Sequence, residues 1–208
     1  MRVIGWIVVA AASYIVGGLS TGLWISSRLQ GLDVRQFGSH SSGATNVLRK
    51  LGRGPGLLTF GGDVLKGVVT ALVGFLLAGR ACACLCGFLA VVGNIWPATA
   101  QFKGGKGVST AAGVFLVVAP LPALIAIAAA FACIYLTRYV SLSSLLGIAL
   151  YFVVVGVPGL FRGQVWLFLF ALGIAGVVSY AHRENISRLL NNRENKIDLE
   201  LLTGKRKA

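Results

Sequence analysis

Negative charge is what this sequence lacks most. Six Asp and Glu stand against nineteen Lys and Arg, and charged residues make up only 12% of the 208. An average soluble domain carries about 25%. With 56% hydrophobic residues and a mean hydropathy of +0.82, the chain holds more apolar surface than a soluble domain of this size could bury. The bilayer is therefore part of its solvent. The same figures exclude a disordered chain, a collagen and a coiled coil. Cysteine is sparse as well. Cys82, Cys84 and Cys86 alternate in one apolar run, Cys133 sits in another, and no C-x-x-C occurs. That excludes a disulfide scaffold and leaves small apolar packing residues. His40 and His182 lie far from them in sequence, so neither a metal site nor a cofactor is expected.

A formal charge of +13 would suggest nucleic acid in a soluble protein. Here the basic residues lie between or beyond the apolar runs, so anionic head groups and small anionic substrates come first and no nucleic acid is expected. Met1 and Arg2 precede an apolar run that reaches Ile25. It is too long for the roughly 7–15-residue core of a signal peptide and reads as a retained first span.

Apolar runs long enough to cross a bilayer, about 20 residues, occur at 3–25, 57–78, 81–100, 141–157 and 164–181. The stretch Val108–Leu136 is long for one helix and short for two, and it contains Pro120 and Pro122. Proline breaks the helical ladder, so the pair marks a boundary between two short helices. Counted that way, fifteen Lys and Arg lie on one side, in 26–56, 101–107, 137–140 and the tail from 182. Arg2, Arg80 and Arg162 lie on the other, with Lys66 inside a span. The positive-inside rule then predicts an all-α membrane protein with seven spans, the N-terminus outside and the C-terminus cytoplasmic. Residues 1–197 read as one domain and 198–208 as a basic cytoplasmic tail.

Ser13, Gly17, Gly18 and Gly22 recur at the spacing of closely packed membrane helices. Gly18 to Gly22 also fits G-x-S-x-G, but a nucleophile elbow needs a strand-to-helix turn, and this one lies in an apolar helix.

The polar exceptions carry the chemistry. Residues 33–52 are dense in Gly, Ser, Thr and Asn, with arginines near both ends. Such a segment suits phosphate oxygens, though it also reads as an ordinary cytoplasmic loop. Lys103-Gly104-Gly105-Lys106-Gly107 runs into a helix beginning at Val108, an arrangement fit for an anion. It is not a Walker A loop, because Gly107 stands where Ser or Thr is required. A loop that merely fixes topology remains the alternative. Asp63 and Lys66, three residues apart, share a face of the second span, and a supporting role for the loops is expected of them. His182 and Asn185 share a face at the end of the last span. Ser141 opens a helix on the same side and reads as its N-cap. Almost every polar cluster falls on the cytoplasmic side.

At these residues the sequence resembles the PlsY family, the bacterial acyl-phosphate:glycerol-3-phosphate acyltransferases. Tyr14 to Gly22 resembles Y-L-L-G-S-x-x-x-G, residues 38–46 resemble G-S-G-N-x-G-A-T-N, and Asp63 to Gly67 resembles D-x-x-K-G. Residues 93–107 resemble G-H-x-x-P followed by F-K-G-G-K-G, and 182–190 resemble H-R-E-N-I-x-R-L. Five motifs in order cover nearly the whole chain. His40, Ser41 and Ser42 depart from the family's Gly, Asn and apolar residue, Asn94 replaces a histidine, and Gly18 a serine. A histidine at position 40 cannot take glycine's positive-φ turn without strain.

The resemblance implies acyl transfer from acyl phosphate to the 1-hydroxyl of glycerol 3-phosphate in the bacterial inner membrane, giving lysophosphatidate and phosphate for phospholipid synthesis. It implies Ser39, Gly43, Thr45 and Asn46 for the acyl-phosphate head group. Arg49, Lys103, Gly104, Gly105, Lys106, Ser141, His182 and Asn185 would hold glycerol 3-phosphate, with Asp63, Lys66 and Asn94 behind them. His182 is the candidate base, with Ser39 and Asn185 beside the reacting groups, unless a donor phosphate oxygen takes the proton. An organic-phosphate transporter and a re-purposed homologue are the alternatives. No inverted repeat is apparent, however, and the polar residues gather at one face.

Overall fold

A computed structural model describes residues 2–198, with side chains from Gly5 onward. The basic tail expected at 198–208 lies, apart from Asp198, outside the described residues. Ten α-helices follow one another, and no strand occurs among the described residues. They are α1 (Arg2–Gly17), α2 (Thr21–Gln30), α3 (Ala44–Leu51), α4 (Arg53–Ile95), α5 (Val108–Val118), α6 (Pro120–Thr137), α7 (Val140–Tyr151), α8 (Val157–Phe161), α9 (Val165–Ala181) and α10 (Arg183–Leu190). A π-turn, Phe152–Gly156, joins α7 to α8.

Four helical stretches are long and apolar enough to cross a membrane, or five if α9 and α10, bent by 66° at His182, count as one. The longest, α4, breaks at Ala78 and Gly79, where Gly79 has φ +75°. This is the boundary expected between 57–78 and 81–100. The break before Pro120 also appears, with Ala119 out of helical conformation (φ −152°, ψ 85°) between α5 and α6.

The first apolar run differs from expectation. It is not one helix to Ile25 but two, parted at Gly18, Leu19 and Ser20. The carbonyls freed there find donors from elsewhere: Thr99 Oγ1 donates to Gly18 O at 3.2 Å and Lys66 Nζ to Leu19 O at 3.0 Å. Ser20, at the centre of G-x-S-x-G, lies between two helices at the N-cap position of α2, with no side-chain cap hydrogen bond, so the strand-to-helix elbow is absent.

Small residues set the helix contacts. A Cβ on Gly17 would collide with the Ala90 backbone, and one on Gly93 with Tyr14 O, so α1 lies directly against the second half of α4. In the core, the Phe115 and Tyr151 rings stack 3.5 Å apart, with Phe170 edge-on at 6.1 Å, locking α5, α7 and α9 together. Outward faces are apolar: α6 exposes Leu121, Leu124, Phe131 and Leu136, a surface suited to lipid tails.

Candidate active site

Two loops and three helix ends meet at one end of the bundle. The first loop, 33–43, is built before it reaches anything. Asp33 caps a short 3-10 turn by accepting from Arg35 N at 2.9 Å and pairs with the Arg35 guanidinium at 2.7 Å. Hydrogen bonding from Arg35 holds the Asp33 carboxyl below its usual range against the opposing pull of burial. Arg35 Nη1 also donates to Ala100 O at 2.8 Å and Lys103 O at 3.1 Å. Ser42 N donates to Gly104 O at 3.2 Å. The two glycine-rich loops are thus stitched side by side.

Asn46, on the first turn of α3, organises the first loop from within. Its Nδ2 donates to Val34 O, Phe37 O and Ser41 O at 2.8–3.0 Å, while its Oδ1 accepts from Ser39 N at 3.1 Å. His40 has φ +53°, the left-handed conformation expected to strain it, and its Nδ1 lies 2.9 Å from Arg35 O.

The second loop closes the end of α4. Gly104 N and Gly105 N donate to the carbonyls of Ile95 and Asn94 at 3.2 and 2.9 Å, satisfying groups that a helix end leaves bare. Asn94 Oδ1 accepts from Gly107 N at 3.0 Å. Gly107 has φ +78°, the turn that starts α5. Lys103 is exposed, whereas Lys106 turns inward.

Lys106 Nζ donates to Asn185 Oδ1. Asn185 Nδ2 donates onward to Glu194 Oε1 at 2.7 Å, and Ser141 Oγ donates to the same oxygen at 3.0 Å. Arg188 Nε reaches Glu194 Oε2 at 2.8 Å, and Arg49 Nη2 reaches Asn195 O at 3.2 Å. His182, only 2% exposed, sits at the bend between α9 and α10. Its Nδ1 lies 2.8 Å from Val178 O. A carbonyl can only accept, so Nδ1 carries the proton and Nε2 keeps a free lone pair.

Burial and the Lys106 charge push His182 down to about 4, so it is neutral at pH 7. Burial likewise pulls Lys106 down to about 8, with Glu194 resisting and Arg188 reinforcing the fall. Burial lowers the Arg49 guanidinium too. Burial pushes the Glu194 carboxyl up, but hydrogen bonds from Asn185, Arg188 and Ser141 outweigh it and hold it below its usual range. The cluster is a set of partly desolvated cations and neutral donors, where an anion gains more than it would in water. Among the described residues, no group of three or more His, Cys, Asp or Glu could hold a metal.

The chain matches the family described as glycerol-3-phosphate acyltransferase over residues 7–192. This chain belongs to that family. It is 39% identical to the glycerol-3-phosphate acyltransferase of Clostridioides difficile (strain 630), covering 95% of this chain and 98% of the relative. It is 37% identical to that of Bacillus subtilis (strain 168), covering 89% and 94%. The crystal structure of PlsY, an integral membrane glycerol 3-phosphate acyltransferase, in its glycerol 3-phosphate form superposes with a TM-score of 0.87. The identity is 34%, over 97% of this chain and 100% of that one. Its lysophosphatidic acid form superposes at 0.84 with 35% identity, over 96% and 99%.

In this glycerol-3-phosphate acyltransferase, Arg49, Lys106, Ser141, His182 and Asn185 come together as one cluster. Ser39, Gly43 and Thr45 line the adjoining loop, where a Cβ on Gly43 would stand 4.0 Å from Gly105 Cα. Other residues fall elsewhere. The amide of Asn46 is spent on its own loop, and Lys103 points to solvent. Asp63 and Lys66 pair at 2.8 Å beside the α1–α2 break, and Thr21, which donates to Asp63, precedes the Gly22 that lies against Ser42 O of the first loop. Ser141 is not an N-cap: Tyr139 holds that place and Ser141 lies inside α7, which frees its hydroxyl for Glu194. Two groups escaped sequence reasoning, Arg188 and Glu194, while Arg35, one of the arginines near the ends of 33–52, is spent on Asp33 and on the carbonyls of the second loop. Glu194 carried one faint signal, as an acid in a strongly basic tail.

Proposed function

We propose that the enzyme moves a fatty acyl group from acyl phosphate to the 1-hydroxyl of glycerol 3-phosphate, with its site on the cytoplasmic face of a bacterial inner membrane. The carrying observation is the convergence of Arg49, Lys106, Ser141, His182 and Asn185, from four parts of the chain, beside two glycine loops stitched together by Arg35 and Ser42. Two adjacent anion sites suit two phosphate-bearing substrates.

The reaction needs no enzyme nucleophile, because the donor is already a mixed anhydride. The acceptor 1-oxygen attacks the acyl carbon, the acyl carbon–oxygen bond to phosphorus breaks, and phosphate leaves. Holding the partners together supplies up to about 7–11 kcal/mol at the favourable limit. Ser39, Gly43 and Thr45 hold the donor phosphate, and Asn46 holds their loop. Arg49, Lys106 and Asn185 receive the acceptor phosphate. His182 Nε2 accepts a hydrogen bond from an acceptor hydroxyl. With His182 near 4 the imidazole is a weak base at pH 7, and the phosphate released from the donor, which gains basicity as the acyl bond breaks, carries the proton away.

Seven crossings fit the helices: α1 with α2, the two halves of α4, α5, α6, α7 through α8, and α9. The N-terminus then lies outside, and residues 1–197 form one domain. The 11 residues of α5 span only about 17 Å, short of the roughly 30 Å hydrocarbon core. The loop at its start is thereby recessed to the depth of an acyl carbonyl.

The test supplies purified protein with acyl phosphate and labelled glycerol 3-phosphate. Labelled lysophosphatidate is expected, with no turnover on acyl-CoA alone. Uptake into proteoliposomes without product refutes the reading, and tags at both termini on one membrane side refute the topology.

A further inference from the structure

Glu194 is a residue that the acyl-transfer chemistry does not call for, yet it ties together three side chains of the cluster around Lys106. Its side chain is 5% exposed. It accepts from Ser141 on α7, and from Asn185 and Arg188 on α10. The segment bearing it has no helix, but it is pinned on its far side. Arg49 Nη2 donates to Asn195 O at 3.2 Å, Ile197 N donates to Arg138 O at 2.8 Å, and Ile197 is buried.

Resting on the acyltransferase reading above, we propose that Glu194 is a positioning residue for acceptor binding. Its carboxylate holds Asn185, Ser141 and Lys106 in the arrangement that receives the acceptor phosphate. A carboxylate repels a phosphate, so Glu194 acts through its neighbours and not as a ligand.

Geometry supplies the first argument. The Asn185 amide has two distinguishable ends. Glu194 can only accept, so it takes Nδ2 and leaves Oδ1 facing the Lys106 ammonium. Without the carboxylate the amide is free to rotate and present Nδ2 to Lys106, a donor against a donor.

Charge supplies the second. Arg49, Lys106 and Arg188 carry three positive charges, and Glu194 cancels one. The second acid nearby, Glu184, is 71% exposed and screened by solvent, so about two remain, matching the −1.5 to −2 of a phosphate monoester. The charged and titratable groups around Lys106 are Arg49 from α3, Glu184 and Arg188 from α10, His182 at the bend, and Glu194. Burial and the two arginines press Lys106 towards its neutral form, and Glu194 leads the two acids that oppose them. Removing that carboxylate uncharges the lysine at a lower pH.

The experiment compares the full-length protein with Glu194→Gln and Glu194→Asp, in acyl transfer across pH 6.5–9.5. For Glu194→Gln the KM for glycerol 3-phosphate rises about tenfold at pH 7.5, the loss of one charge-assisted contact, while kcat changes far less. The alkaline limb of kcat/KM moves to lower pH, and Glu194→Asp restores part of both. A fall in KM would make the carboxylate a competitor of the phosphate and overturn the proposal. Equal losses in kcat and kcat/KM with the pH profile unmoved would reduce Glu194 to a structural strut and overturn it too. Calorimetric binding of glycerol 3-phosphate over the same pH range reads the shift without turnover. A wild type that binds but does not transfer therefore sinks the acyltransferase reading and leaves Glu194 still testable.

Discussion

Replacing Lys106 with alanine removes the ammonium that donates to Asn185 at the centre of the anion cluster. A charge-assisted hydrogen bond is worth about 1.5–3 kcal/mol, and each 1.4 kcal/mol is tenfold in affinity. The KM for glycerol 3-phosphate should rise about 10- to 150-fold at pH 7, with acyl phosphate saturating and the protein still folded. Lys103→Ala is the control. That lysine is exposed, where charge contacts contribute about 0–1 kcal/mol, so a rise of less than about fivefold is expected. Titration gives a second readout. A lysine held near 8 is charged below that pH and neutral above it, so acceptor binding weakens as pH rises. In the wild type kcat/KM should fall about tenfold per pH unit above 8, because that ratio reports groups of the free enzyme. In Lys106→Ala the fall should vanish from an already lowered baseline. A kcat/KM flat from pH 7 to 9.5, or an unchanged KM in Lys106→Ala, would refute the assignment of Lys106 to the acceptor phosphate.

His182→Ala should raise the acceptor KM several-fold while lowering kcat by less than the 10²–10⁴ expected for a lost general base. The wild type should show no acidic limb near pH 6.5 that the mutant loses, since His182 is held near 4; such a loss would restore it as the base. His40→Gly relieves a left-handed residue at φ +53° and should stabilise the protein by about 1 kcal/mol. A lower thermal midpoint in detergent would show that the exposed His40–Arg35 contact outweighs the strain. Asn46→Ala takes the amide from Ser41 O and Ser39 N, while Val34 O and Phe37 O keep the backbone donors Phe37 N and His40 N, at about 1–3 kcal/mol for each group left buried and unpaired. Thermal midpoint and kcat should fall together, and a KM effect alone with full stability would return Asn46 to direct contact.

Much of the architecture was legible because its causes are local. Gly79 and Pro120 break helices through their own backbones, and both breaks fall where the apolar runs suggested. The parting of α1 from α2 has a weaker signal. The run is interrupted only by Gly17-Gly18 and Ser20-Thr21, which read as packing residues, and the break is sealed by Lys66 and Thr99, 47 and 81 residues from the carbonyls they take. The site divides in the same way. Glycine loops and lysines suggest an anion site in their own letters, whereas Asn46 looks like a ligand until its amide is seen spent on four backbone groups. Glu194 was hidden because an acid in the basic stretch after α10 reads as solvated tail. Only the return of the chain across Arg138 and Arg49 buries it.

The same distinction decides what Asp63 and Lys66 do. Each charge costs about 2.5–3.5 kcal/mol in a membrane helix centre by insertion scales, so something must be gained in return. Lys66 Nζ lies 2.8 Å from Asp63 Oδ1 and 3.0 Å from Leu19 O, and Thr21 Oγ1 donates to Asp63 Oδ1 at 3.1 Å. With side chains 7% and 6% exposed, the pair joins α4 to both sides of the α1–α2 break. Nothing in that set touches Lys106 or Asn185. Lys66→Met leaves Asp63 uncompensated and Leu19 O bare, so a loss of about 3–5 kcal/mol is expected. Asp63→Leu with Lys66→Met removes both charges and should recover most of it, short of the Leu19 contact. Thermal unfolding in detergent measures both, and acyl transfer by the folded fraction should keep its acceptor KM. If Lys66→Met unfolds normally yet loses acceptor binding, the pair serves the phosphate site, and its assignment to the helix break is wrong.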